Sequence, residues 1–174
     1  VRSDYLEALM TVSKRVYRFQ ILLITWSWLM GYPSQAWTGP PQEYQIKGAF
    51  LYRLARYVQW PTEALGDGDE PISIGILGKD PFGATLDRIV RGKKVQSREV
   101  EVKRFANIDD LEFSHVLFIS SSESMRLQQI LEQLEGRKTL TVGEMRWFCR
   151  SGGMVQLVVE DDMLRLKIRP NIAE

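Results

Sequence analysis

The sequence contains one cysteine and one histidine, and its charges almost cancel. Because Cys149 has no second cysteine with which to pair, an intramolecular disulfide is excluded, and its neighbours Trp147 and Phe148 favour a buried thiol. The single His115, without C-x-x-C or H-x-x-x-H spacing elsewhere, argues against a metal site with nitrogen or sulfur ligands. The 23 basic and 22 acidic side chains give a formal net charge of +1. The chain therefore lacks the electrostatic drive of a polyanion-binding protein.

Catalytic motifs are also missing. Gly78 and Gly83 have the spacing of a phosphate-binding loop, but Ala84 and Thr85 follow where that loop needs Lys and then Ser or Thr. No nucleophile-elbow sequence is present, and His115 opens an apolar run, which favours a structural role for it. The sequence predicts no enzymatic activity, no cofactor and no metal.

The first 36 residues have the order of a secretory signal. A basic stretch at 13–18 precedes an apolar run at 19–32, and a proline and small residues follow at 33–36. The apolar run is short for a transmembrane span. An uncleaved signal that serves as an anchor is the alternative reading of the same pattern.

We expect the chain to start at Met10 and to be cleaved after Ala36. Removal of residues 1–36 takes away four basic and two acidic side chains, which leaves 19 basic and 20 acidic ones. A mature chain of net charge −1 is a poor ligand for nucleic acid, and after cleavage we expect no insertion into the membrane. The sequence predicts an exported, soluble protein.

Apolar patterns divide the chain after a polar, proline-rich lead-in at 37–44. Runs rich in β-branched residues predict three buried strands, at 72–78, 115–120 and 139–143. Helical spacing predicts helices at 44–60 and 122–136, and a third helix begins at Asp80-Pro81. Alternation predicts a half-exposed strand at 93–105 and a hairpin at 152–170. We expect a single small α/β domain, with a mostly parallel central sheet flanked by helices and a C-terminal antiparallel β-hairpin.

The helix predicted at 44–60 is basic and aromatic, so it could lie on a membrane, contact nucleic acid or pack on a sheet. Its apolar residues fall within an arc of about 160°; they are Phe50, Leu51, Leu54, Ala55, Tyr57 and Val58. A wide arc in a nearly neutral chain favours packing on a sheet. Arg53 and Arg56 lie opposite the arc, as solvated or partner-facing groups.

The most basic stretch spans residues 88–104. Lysine and arginine on an exposed edge strand discourage pairing between sheets, which explains the stretch as a structural feature. A contact surface for an acidic partner is the alternative.

The motifs together resemble the YfiR-like family of small periplasmic proteins. The resemblance rests on the Trp60-Pro61 end of the first helix, Gly78 with Pro81-Phe82-Gly83, the 140–142 strand, and Gly152-Gly153 before Met154. These signatures run in order from residue 45 to about 169, and we assign the YfiR-like domain to 45–174. We treat the eight signature residues as structural; they are Trp60, Pro61, Gly78, Pro81, Phe82, Gly83, Gly152 and Gly153.

The resemblance implies regulation rather than catalysis. Family members are periplasmic repressors that bind the periplasmic domain of a membrane-bound diguanylate cyclase, and so tune cyclic di-GMP and biofilm formation. The implied partner is such a cyclase or a related sensor kinase, with a homodimer left open. The alternative is a periplasmic small-ligand binding module with its pocket near residues 78–83, where strand ends meet.

Two departures from the family pattern affect what the resemblance implies. Family members often carry a cysteine before the strand at 115–120, where this chain has Ser114, so redox sensing through a disulfide is not expected. The family also continues into a tail with a final helix, whereas Arg169-Pro170 follows the last strand here. We therefore expect a shortened C-terminal tail.

Overall fold

A computed structural model describes residues 42–66, 68–161 and 163–169. The helices are α1 (Gln42–Tyr57), α2 (Thr62–Leu65), α3 (Ala84–Val90) and α4 (Leu127–Gln133), with short 3-10 helices at Ile108–Asp110 and Ser121–Arg126. The strands are β1 (Ile72–Leu77), β2 (Lys94–Val95), β3 (Arg98–Phe105), β4 (Val116–Ile119), β5 (Leu140–Gly143), β6 (Val155–Glu160) and β7 (Met163–Ile168).

All seven strands form one sheet in the order β2-β3-β1-β4-β5-β6-β7. The five strands from β3 to β6 are parallel, while β2 and β7 pair antiparallel at the two ends. Counted along the chain, the parallel strands follow the order 2-1-3-4-5 of flavodoxin-like doubly wound folds. The α/β fold with its C-terminal hairpin is confirmed.

The three predicted buried strands are confirmed as β1, β4 and β5, and each of their described residues is buried or half-buried. Alternate side chains of a strand point to opposite faces, and both faces of β1 and β4 are covered. On one face, Ile74 and Phe118 join a core with Leu51 of α1 and Leu86 of α3. On the other face, the β4 residues Leu117 and Ile119 join a core with α4 and Phe148.

The first helix differs from its predicted form. It spans Gln42–Tyr57 and buries Lys47, Gly48, Leu51 and Ala55, whereas Tyr57, predicted to be on the apolar face, is 77% exposed. Gly48 lies on the buried face of α1 because it allows α3 to pack closely there. A Cβ at this position would lie only 3.0 Å from the Ile89 side chain of α3. The close approach of the two helices decides which side of α1 is covered.

The predicted strand at 93–105 is two strands. Gln96 and Ser97 have positive φ angles of 49° and 70° and form a two-residue hairpin loop, which requires φ > 0 at both positions. The basic β3 is therefore second in the sheet, although β2 covers only Arg98 and Glu99. The prediction of a single strand was wrong because neither residue is a usual residue for such a turn.

Most of the basic side chains in and before β3 have partners within the protein. The Arg104 guanidinium contacts Asp80 and Asp87, Lys103 pairs with Glu112, and Arg98 donates to the Leu65 and Glu70 carbonyls. These contacts leave fewer basic side chains of residues 88–104 available to bind an acidic partner.

The helix predicted at 122–136 begins later than expected. Residues Ser121–Arg126 form a 3-10 helix, and the α-helix covers only Leu127–Gln133. Met125 is 95% exposed. The tighter 3-10 turn instead places Glu123 in the interior, where its carboxylate pairs with Arg126.

The C-terminal hairpin pairs Leu157 with Leu166 and Val159 with Leu164. Val155 pairs with Ile168 at the open end of the hairpin. Cys149 is half-buried rather than fully buried, and burial raises the pKa of its thiol.

The predicted signal peptide, Met10, the Ala36 cleavage site, most of the lead-in and residues 170–174 lie outside the described residues. Among the described helices, none is both long and apolar enough to cross a membrane.

His115 is 4% exposed and immediately precedes β4. Its Nδ1 accepts a hydrogen bond from the backbone N–H of Ser73 at 3.1 Å, and the edge of Trp60 lies against its ring, with centroids 5.2 Å apart. Burial lowers the pKa of His115 below its ordinary value. The neutral ring is thus the form that the fold accommodates.

Replacement of Leu51 by Ala should destabilise the protein strongly, because Leu51 is completely buried and loss of a core leucine costs about 2–5 kcal/mol. Tyr57→Ala, on the same helix, should change the free energy of unfolding by less than about 0.5 kcal/mol. Urea denaturation of both variants measures the difference. Equal losses of unfolding free energy in the two variants would contradict the burial of Leu51 and the exposure of Tyr57.

His115 should make stability depend on pH below about 6.5. Its pKa is lower in the folded than in the unfolded protein, so its contribution is complete above the unfolded value of about 6.5 and is lost as the pH falls below it. Urea midpoints at pH 7.5 and 5.0 should differ more for the wild type than for His115→Asn, which keeps a hydrogen-bond acceptor. Identical pH dependence in the two proteins would contradict this assignment.

Candidate interaction surface

One row of α1 side chains faces solvent although it is largely apolar. Ile46, Phe50, Arg53 and Tyr57 are spaced i, i+4, i+7 and i+11, which places them on one side of the helix. We call these four residues the outer stripe. Ile46 is 43% exposed and Phe50 half-buried, and the Arg53 guanidinium lies 5.6 Å from the centre of the Phe50 ring. The stripe presents aromatic and cationic groups to solvent.

The cations on α1 differ from those on β3. Neither Arg53 nor Arg56 forms an ion pair with any carboxylate in the described ranges. Arg56 lies in the last turn, where a cation also stabilises the helix dipole. Tyrosine, phenylalanine and arginine are enriched at the centres of protein interfaces. The outer stripe therefore has the composition of a protein-binding surface for an acidic and apolar partner.

A groove of about 370 Å³ continues the outer stripe toward the C-terminal hairpin. Ile46 forms one wall, and Val159 of β6 and Leu164 of β7 form the other. Val159 is 44% exposed. The groove enlarges the apolar part of the surface at the amino-terminal end of α1.

A buried ion pair fixes α1 beneath this surface. Lys47 is 4% exposed, and its ammonium group pairs with Glu43 one turn before it and with Glu144 just after β5. The Glu144 carboxylate also accepts hydrogen bonds from the Tyr44 hydroxyl at 3.2 Å and the Ser121 hydroxyl at 3.1 Å. The network joins α1 to the carboxyl ends of β4 and β5.

The electrostatics of the network favour a charged lysine. Burial alone lowers the pKa of Lys47, but the hydrogen bonds to Glu144 and Glu43 outweigh it and leave that pKa raised. Burial, and then the Glu144 charge, raise the pKa of Tyr44, which keeps its hydroxyl protonated as a donor. Because every polar group has a partner, the network positions the helix and offers no free acid or base.

The Gly78–Gly83 loop does not form an anion site. One carboxylate oxygen of Asp80 accepts from the N–H groups of Phe82 at 2.7 Å and Gly83 at 3.2 Å, and the other accepts from Arg104 at 2.7 Å. Phe82 is completely buried. The amide groups that a phosphate would need are already bonded within the loop, which disfavours the predicted ligand pocket at this position.

The other signature residues lie at turns and packing contacts. Trp60 is buried and donates from its indole N–H to the Ala55 carbonyl at 2.9 Å, which satisfies a carbonyl near the end of α1. Pro61 precedes α2, and its carbonyl accepts from Ala64. Gly152 has a φ of 113°, and a Cβ on Gly153 would overlap the Phe148 ring.

The sequence predicted the exposed position of Arg53 and Arg56 on α1 but not the Lys47 network. Lys47 carries no local signal of burial, because a lysine beside an apolar arc is usually solvated. Its partner Glu144 lies 97 positions away in the chain, and only the fold brings them together. In the described ranges, no group of three or more histidine, cysteine or acidic residues is arranged to hold a metal.

Lys47→Met should destabilise the protein by about 3 kcal/mol or more, because it leaves the Glu144 charge poorly compensated in the interior. The double variant Lys47→Met/Glu144→Gln should recover part of that loss, since the unpaired charge is gone. A double-mutant cycle from urea denaturation measures the coupling. Additive losses would show that the two groups do not interact.

The YfiR/HmsC-like family model matches residues 44–174, which extend from the start of α1 to the end of the sequence. No curated protein matches the sequence significantly. Since the match covers most of the sequence, the chain belongs to the YfiR/HmsC-like family.

Proposed function

We propose that this protein represses an inner-membrane diguanylate cyclase by binding the periplasmic domain of the cyclase through the outer stripe of α1. Membership of the YfiR/HmsC-like family, over residues 44–174, is the observation that carries the proposal. It supports a periplasmic regulator of a diguanylate cyclase in general. Repression of one cyclase, and the resulting control of cyclic di-GMP and biofilm formation, are the specific parts proposed here.

The distribution of polar contacts supports binding rather than catalysis. The buried Lys47 is paired with Glu144, and the more exposed Arg104 is paired with Asp80. By contrast, Tyr57 and Ile46 are exposed apolar groups, and Arg53 and Arg56 are without ion-pair partners in the described part of the chain. On α1, exposed apolar groups and these arginines therefore lie on one helix, where a single partner can contact both.

Repression of this kind needs differential binding. The regulator must bind the inactive state of the cyclase more tightly than the active state, and a coupling free energy of about 1–3 kcal/mol corresponds to a change of roughly 5–150-fold in the equilibrium. Loss of a single central tyrosine or arginine from an interface often costs about 2 kcal/mol or more. One or two substitutions on the outer stripe can therefore remove the regulation.

Deletion of the gene should raise cyclic di-GMP, and the wild-type protein should lower it again. Tyr57→Ala and Arg53→Glu should fail to restore repression, and pull-downs from membrane fractions with these variants should lose the cyclase. Cyclic di-GMP measured by mass spectrometry and biofilm mass provide the two readouts.

Matched controls are available on other surfaces. Met125→Ala removes an exposed apolar side chain, and Arg91→Glu reverses an exposed charge beyond α3; both variants should repress normally. Unchanged cyclic di-GMP in the deletion strain would refute the repressor function. Normal repression by the Tyr57 and Arg53 variants would instead refute only the assigned surface.

A further inference from the structure

A second surface lies on the opposite face of the sheet, beside α4. A groove of about 520 Å³ lies between this helix and the turn at Gly152. Arg137, Arg150 and Arg169 all line it, although they follow α4, β5 and β7 respectively. We call this space the arginine groove. Three arginines from separate segments therefore line one open space.

The three arginines have no ion-pair partner in residues 42–66, 68–161 and 163–169. Arg169 donates to the Gly152 carbonyl at 3.2 Å, and the Arg150 guanidinium lies 4.8 Å from the centre of a Trp147 ring. In contrast, Arg104 and Arg126 each have a carboxylate oxygen within 2.6 Å. The cations of the groove are therefore available to bind anions.

Two carboxylates line the same groove and limit what can bind. Glu132 accepts a hydrogen bond from Gln128 at 3.1 Å, and Glu135 follows near the end of α4. Three arginines against two glutamates leave the groove with a net positive charge, so a ligand must bring carboxylates to the arginines and keep them away from the glutamates. An extended chain with spaced acidic groups meets this requirement better than a compact anion.

Apolar side chains also line the groove. Leu131, Leu134 and Met154 contribute to it, and the hydroxyls of Thr139 and Thr141 point to other partners, the Ser114 carbonyl and the Met154 N–H. Aliphatic side chains of a ligand would therefore contact carbon, while carboxylates would contact the arginines. Arginine binds carboxylates with two parallel hydrogen bonds, which gives such contacts direction as well as charge.

We propose that the arginine groove binds an acidic, extended segment of a partner protein, in which carboxylates alternate with aliphatic side chains. Binding of this segment does not require the proposed cyclase contact on α1, because α1 and α4 cover opposite faces of the sheet. The groove gives the protein a second binding surface.

Titration of the purified protein with a fluorescently labelled peptide of sequence Ac-ELELELE tests the proposal by fluorescence anisotropy. The wild type should bind saturably, and binding should weaken as salt is raised, since salt screens the charges. Arg137→Ser/Arg150→Ser should weaken binding at least tenfold. Lys138→Ser should change it less than twofold, because Lys138 is exposed next to Arg137 but pairs with Glu63.

Several outcomes would overturn the proposal. They are absence of saturable binding to the wild type, full binding by the double variant, or equal loss in the Lys138 variant. If citrate or phosphate displaced the peptide with a dissociation constant similar to that of the peptide itself, the groove would be a small-anion site instead. Loss of binding in Arg53→Ser would place the peptide on the outer stripe. The assay contains no cyclase, so its failure leaves the proposed function to be judged by the cyclic di-GMP experiment alone.

Discussion

The ion pair between Lys47 and Glu144 connects the first helix to the rest of the fold. A buried ammonium group is unfavourable unless carboxylates compensate it, and here the compensating groups come from the helix itself and from the carboxyl end of β5. Tyr44 and Ser121 complete the network. The rotation of α1 about its own axis is thereby restricted, and with it the direction in which the outer stripe faces.

The sheet separates two surfaces that differ in chemistry. The face under α1 and α3 contains the larger aliphatic core, and its outer side carries aromatic groups with two arginines. The face under α4 has a smaller core and is bordered by a groove with three arginines. Because both cores share the β1 and β4 strands, a contact on either side is supported by the same rigid centre.

Much of the fold could be predicted from local pattern. The continuous apolar runs of β1 and β4 indicate strands covered on both faces, and the alternating pattern after Gly153 indicates the hairpin. The failures concern positions where tertiary contacts override local pattern. Gly48 allows α3 to approach and so leaves Tyr57 outside, and the turn at Gln96 and Ser97 divides a strand that looks continuous.

The candidate surfaces were less predictable than the fold. Arg53 and Arg56 could be placed on the outer side of the helix from spacing alone. The Lys47 network and the arginine groove each join residues far apart in the chain, and one sequence contains no signal for such pairs. Charge counts cannot distinguish paired from unpaired cations either, since Arg104 and Arg150 are the same residue type.

The side chain of Phe148 allows β5 and β6 to be connected without a helix. Parallel neighbours are usually joined through a helix that covers the sheet, but this connection contains only turns. The ring of Phe148, completely buried, lies against the backbones of Gly143 and Gly153, where any side chain would overlap it. The Phe148 ring thus covers the sheet at the point where a crossover helix usually lies, and only glycine fits at positions 143 and 153 beside it.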